Sequence, residues 1–144
     1  MIEKNFYTLK GYTLMENNAI TTSMEDYLEM IYRIHLKGDV VRVGVLAENL
    51  NVKPSSASKM VANLVNQGLV CSEKYGYIKL TADGEKMGEY FMFRHDTLNR
   101  FLCYINKSQE ELEQVEKIEH FINPDTVNNI KIWLDSLEGV DNLM

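Results

Sequence analysis

The amino-acid sequence predicts a mainly α-helical protein, with an N-terminal helix-turn-helix, a β-hairpin wing and a C-terminal helical unit. Three observations carry this. Apolar residues recur at helical spacing through most of the 144 residues. Pro54 follows a short turn and opens a segment whose first residues are small and polar. Directly after that segment, Leu69 to Leu80 alternates, is rich in β-formers and is broken by Gly76.

Each element has its own signal. Thr22 or Ser23 is placed to cap a first helix, with Glu25 and Asp26 favourable in its first turn. Tyr27, Leu28, Ile31 and Ile34 form the core face, and the helix stops before Gly38. From Arg42 to Leu50 a short helix turns Val45, Leu46 and Leu50 inward. The Pro54 helix carries Met60, Val61, Leu64 and Val65 as its buried stripe and ends at Gly68. Thr81 starts a long helix to about Ile105, with Met87, Phe91, His95, Leu98, Leu102 and Ile105 along one side. Ser108 and Glu111 have capping-box spacing for the next helix. A last helix begins with Asn123 and Pro124, ends before Gly139, and buries Val127, Ile130, Leu134 and Leu137 beside Trp133. Residues 1–20 show no periodicity, so either a disordered extension or a short packed element fits them.

Composition narrows the function. No run is long enough for a transmembrane helix and the N-terminus lacks a signal-peptide apolar region, so a cytoplasmic protein is expected. Cys71 and Cys103 stand apart, as reduced thiols do. The net charge of −6 argues against nucleic acid until its distribution is read. Arg42 to Leu80 holds five basic against two acidic residues, and His95 to Met144 four against ten. A basic middle joined to an acidic end suits a DNA-contacting segment joined to a cation-binding one.

The candidate DNA contacts are Arg42, Lys53, Pro54, Ser55, Ser56, Ser58 and Lys59, with Lys74 and Tyr75 at the wing tip. Small hydroxyl residues let a helix end approach base edges and phosphates. An ordinary helical hairpin and a plain structural ribbon are the alternatives for these two stretches.

The candidate metal chemistry centres on Glu116, Glu119 and His120, at i, i+3 and i+4 on one helical face. Such a triplet is either a solvated face or, because it borders the apolar stripe of Val115, Ile118 and Ile122, a cation site. Asp26 and Glu29 lie roughly opposite the core face of the first helix, as an ordinary wet face or as further oxygen ligands. His95 falls within an apolar row, where a satisfied core histidine and a neutral metal ligand are both possible.

The stretches SMEDYLEMIY, KPSSASKMV, FRHDTL and VEKIEH, in this order around a winged helix, resemble the diphtheria-toxin-repressor family of metal-dependent transcriptional regulators. The resemblance runs from Thr22 to Glu138 and points to the manganese transport regulator branch. It implies metal ligands at Asp26, Glu29, His95, Glu116, Glu119 and His120. The iron-responsive branch typically has Met in place of Asp26 and Cys in place of Glu116, and a sulfur-free set favours a harder ion such as manganese.

The implied protein is a manganese-activated repressor of metal-uptake genes, with two ions per subunit bridged by Glu116 and Glu119. It would act as a homodimer on a palindromic DNA operator, with no membrane and no small-molecule substrate. Iron or zinc are the alternative metals, and a di-metal helical enzyme is the alternative class. Without metal, net carboxylate repulsion is expected in the site, and metal is expected to draw the first helix onto the dimerisation helices. The implied domains are a 1–21 extension, a 22–80 winged helix-turn-helix and an 81–144 metal-binding and dimerisation unit. Asn99 stands where some relatives carry Glu, so no ancillary site is expected there, and an SH3-like domain is not expected after the last helix.

Overall fold

The computed structural model describes residues 20–141 together with Thr8, Leu9 and Tyr12, so most of the N-terminal extension lies outside the described residues. Helix α1 spans Thr22–Leu36. Its cap is Thr21, one residue earlier than expected, whose side chain accepts the Met24 N–H at 3.2 Å. Helices α2 (Val43–Leu50) and α3 (Pro54–Asn66) form the helix-turn-helix. The turn between them starts at Asn51, which takes the left-handed conformation (φ 55°). Pro54 sits at the start of α3, where its missing N–H costs nothing.

The wing pairs β1 (Val70–Ser72) antiparallel with β2 (Ile78–Leu80), in the register Val70 opposite Leu80. Its tip is a single 3₁₀ turn, Lys74–Gly76, with Tyr75 and Gly76 at positive φ. A bridge between Arg42 and Tyr77 adds the segment before α2 to the sheet. Helix α4 (Ala82–Asn106) is capped by Thr81, whose hydroxyl also donates to the Gly68 carbonyl at 2.7 Å. The chain closes with α5 (Leu112–Ile118), a 3₁₀ turn (Glu119–Phe121) and α6 (Pro124–Asp141).

Two glycines set how close α4 lies to the head. A Cβ on Gly84 would meet the Leu69 carbonyl oxygen at 1.9 Å, and one on Gly88 would meet Tyr32 Cβ at 2.6 Å. The Gly88 contact brings α1 and α4 side by side, and their facing surfaces carry the ligand candidates. The larger core joins α1, α2, α3 and the wing, with Leu28, Ile31, Leu46, Ala57 and Leu64 fully buried. A smaller one holds Leu98, Leu102 and Val115.

Several expectations change. Ala57 takes the buried place on α3, and Val65 is exposed. Val45 and Ile105 are exposed too, because no described element covers those sides of α2 and α4. Ser108 does not cap α5: its hydroxyl donates to Glu111 Oε1 at 2.8 Å, and the helix starts three residues later. The Glu111 N–H is satisfied instead by Asn99 Oδ1 at 2.9 Å, from α4. Gly139 lies inside α6 instead of ending it. Among the described residues no helix is long and apolar enough to cross a membrane.

Candidate metal centre

The acidic and imidazole candidates gather where α1, α4 and the α5–3₁₀ segment meet. Two groups of potential ligand atoms each fall within 4.8 Å: Asp26, Glu119 and His120, and Glu29, His95 and Glu119. Glu119 belongs to both. Its Oε2 is 3.1 Å from His95 Nδ1, and its Oε1 is 3.8 Å from His120 Nε2. His120 Nε2 also lies 3.0 Å from Asp26 Oδ1, and Glu116 Oε1 lies 3.6 Å from His95 Nδ1.

Glu116 lies on the last turn of α5, and Glu119 and His120 lie on the 3₁₀ turn that follows it. His120 belongs to one group, and Glu116 borders the other through His95. Glu29 is not on a wet face: it is buried, because α4 packs along that side of α1.

Among the described residues the cluster leaves one buried carboxylate oxygen without a hydrogen-bond partner. Glu119 is 1% exposed, and its Oε1 is buried without a hydrogen-bond partner. An orphaned carboxylate oxygen in such a place is costly unless a cation answers it. Burial pushes the Glu29 carboxyl up, an effect the Arg33 hydrogen bond at 2.9 Å partly offsets. Burial, with the charges of Glu119 and Asp26, raises Glu116 as well. The hydrogen bond to Glu119 raises His95. Hydrogen bonds to Asp26 and Glu25 push His120 up to about 10. The donor set is all oxygen and imidazole nitrogen, so a divalent ion of the manganese, iron or zinc kind fits it.

Arg33 and Arg94 bring positive charge in among these carboxylates, and α1 packs on α4. Arg94 and Glu25 escaped the sequence reading. Arg94 is buried, stacks over Phe91 at 4.9 Å and reaches Glu25 Oε1 at 3.1 Å. Glu25 looked like a first-turn helix residue, and Arg94 is one of several charges on α4. Only their adjacency to Asp26 and His95 hinted at a role.

The candidate DNA face is exposed at Lys53, Pro54, Ser55, Ser56, Ser58 and Lys59 around the start of α3, with Ala57 anchored in the core beneath. Lys74 and Tyr75 project from the wing tip. Arg42 is exposed but tethered: it donates to Tyr77 Oη at 2.6 Å, and its guanidinium lies 4.6 Å over that ring. A cleft lined by Asp26, Glu29, Met30, Arg33, Leu50, His95 and Glu116 opens beside the ligand groups. Leu50 comes from the helix-turn-helix, so the two surfaces share a structural element.

A winged helix-turn-helix whose first helix supplies two of six candidate metal ligands, Asp26 and Glu29, is the arrangement of a metal-responsive DNA-binding regulator. Comparison with known proteins agrees. Residues 19–78 match the model of the iron dependent repressor N-terminal DNA binding domain, and residues 81–139 that of the iron dependent repressor metal binding and dimerisation domain. The chain belongs to the iron-dependent repressor family, a family of transcriptional regulators and not of enzymes, which sets aside the di-metal enzyme.

It is 40% identical over 111 residues to the HTH-type transcriptional regulator MntR of Oceanobacillus iheyensis, covering 76% of each chain. To the regulator of the same name from Lysinibacillus sphaericus it is 40% identical over 119 residues, covering 82% of this chain and 86% of that one. Among solved structures, a manganese-dependent transcriptional repressor complex with manganese is similar at TM-score 0.71 and 29% identity, covering 78% of this chain and 52% of that one. The manganese regulator SloR matches at TM-score 0.69 and 25% identity, with 78% and 53% covered. The chain thus spans about half the length of these solved regulators.

Proposed function

We propose that this protein is a manganese-activated repressor of metal-uptake genes, acting in the cytoplasm as a homodimer on a palindromic operator. The observation that carries the reading is Glu119, buried between His95 and His120 with one oxygen unsatisfied. Asp26, Glu29, His95, Glu116, Glu119 and His120 would hold two ions per subunit, with Glu119 placed to be shared between them. Bound ions supply the positive charge that this carboxylate cluster lacks. The solved relatives whose titles name manganese, and the absence of sulfur from the ligand set, favour manganese over iron or zinc.

The chain's own residues account for the coupling. Asp26 and Glu29 ride on α1, which packs against α2, α3 and α4 together. Drawing α1 towards His95 and the 3₁₀ turn fixes the head, residues 22–80, relative to the helical unit, residues 81–144. In a dimer that fixes the spacing of two α3 helices, and half-site spacing is what a palindromic operator reads. By linkage DNA tightens metal binding by the same factor, typically about 1–3 kcal/mol.

The test is operator binding by fluorescence anisotropy at one fixed salt concentration, with manganese, anaerobic iron(II), zinc or chelator. Tight binding with manganese alone is expected. Equal binding with chelator would remove the metal switch, and tight binding only with iron(II) or zinc would reassign the metal.

A further inference from the structure

We propose that Glu25 and Arg94 are positioning residues for metal binding: Glu25 accepts the Nδ1 proton of His120, which leaves Nε2 facing Asp26 and Glu119, and Arg94 holds Glu25 in place. The inference rests on the reading of His120 as a ligand.

An imidazole ligates only through a nitrogen that carries no proton, so the group at the other nitrogen decides which one is offered. The two sides of the His120 ring differ. Nδ1 faces Glu25 Oε1 at 2.7 Å, whereas Nε2 faces Asp26 Oδ1 at 3.0 Å and the unsatisfied Glu119 Oε1 at 3.8 Å. Glu25 is not itself a seventh ligand, because the Arg94 guanidinium already sits on the same oxygen. Arg94 Nη2 lies 3.3 Å from His120 Nδ1 and 3.1 Å from Glu25 Oε1. A guanidinium never gives up its proton, so it cannot accept from Nδ1. Two donors converging on one carboxylate oxygen is the arrangement that fits these three distances, with Arg94 held through Nη2 and its Nε left without a partner. Arg94 is buried and stacked on Phe91, so it has little freedom to leave. The result ties α1 (Glu25), α4 (Arg94) and the 3₁₀ turn (His120) together beside the ligand groups.

The experiment has two arms on the full chain. Imidazole-nitrogen NMR of the zinc-loaded wild type should show His120 bound through Nε2 with a protonated Nδ1. Binding through Nδ1 overturns the proposal, whatever the variants do. Manganese titration of the metal-free protein should show a loss of about 10–100-fold for Glu25→Ala, the range for outer-sphere partners of metal ligands. Glu25→Gln keeps an accepting oxygen and should recover most of that loss. Wild-type affinity in a folded Glu25→Ala also overturns the proposal, and if that variant does not fold the wild-type spectrum decides. His120→Ala separates the two readings: if it too binds manganese like wild type, the ligand assignment falls, whereas a large loss there with none in Glu25→Ala removes this inference alone.

Discussion

The core of the head, built from α1 to α3, the wing and Phe91 of α4, is sealed at its centre, whereas the smaller core of α4 to α6 lies beside a cluster of exposed apolar side chains. In the head, Leu28, Ile31, Leu46, Ala57 and Leu64 are sealed from solvent. In the helical unit, Leu98, Val115 and Val127 are sealed, but Tyr104, Ile105, Phe121, Ile132 and Trp133 remain exposed. Trp133 is edge-on to Phe101 at 6.1 Å and Tyr104 at 5.6 Å, so part of this surface is already an ordered aromatic cluster. Monomeric proteins rarely leave such apolar patches uncovered. The exposed aromatic cluster suits a surface completed by a second subunit, in keeping with the dimerisation domain that residues 81–139 match. The ligand candidates lie at the seam.

The contrast can be broken most directly in the head. Leu28→Ala should cost about 2–5 kcal/mol in a denaturant melt, as deletion from a sealed core does. A cost under about 1 kcal/mol would mean that the head is looser than its burial implies. In the helical unit, Ile132→Ala with Trp133→Ala should instead act on association. The dimer is expected to weaken by roughly 2 kcal/mol or more in sedimentation, as loss of an aromatic anchor does, with the head's unfolding little changed. An unchanged dimer would put the subunit interface elsewhere.

At the seam the expected effect is a dependence on pH. The folded protein favours protonated His120 because Asp26 and Glu25 hydrogen-bond to it, raising it from 6.5 to about 10. A raised histidine stabilises fully below its ordinary value and loses that contribution as pH climbs through the folded value. The melting temperature of the metal-free protein should therefore decline between pH 7 and about 10, and His120→Gln should flatten the decline. A decline of equal size in that variant would assign it to other groups. The smallest effect is expected at Lys59, which belongs to neither core. Lys59→Ala should weaken DNA binding evenly across sequences and reduce the salt slope by about 1, as loss of one phosphate contact does.

Much of the fold was legible because its signals are local. Pro54 at the start of α3, Gly68 after its end, Gly76 in the wing turn and Thr81 capping α4 each act through their own backbone. Where the reading slipped, a distant partner had overruled the local signal. Ser108 and Glu111 have capping-box spacing, yet Asn99 of the neighbouring helix takes the Glu111 N–H. Glu29 has the position of a wet-face residue, yet α4 covers it. Val65 and Ile105 continue apolar stripes past the point where a described element covers them.

The candidate site divides the same way. Which side chains were available could be read along the chain: six oxygen or nitrogen donors, without sulfur, in an order that resembled one family. Residue type and helical spacing are properties of neighbours in sequence. How these donors meet follows from the packing of distant elements. Glu119 stands between the two histidines because α4, which carries His95, packs against the 3₁₀ turn that carries His120. Arg94 and His120 both reach Glu25, from 69 and 95 residues away, because Gly88 lets α1 and α4 come close. Such a choice depends on which elements pack together, and no local pattern of residues encodes it.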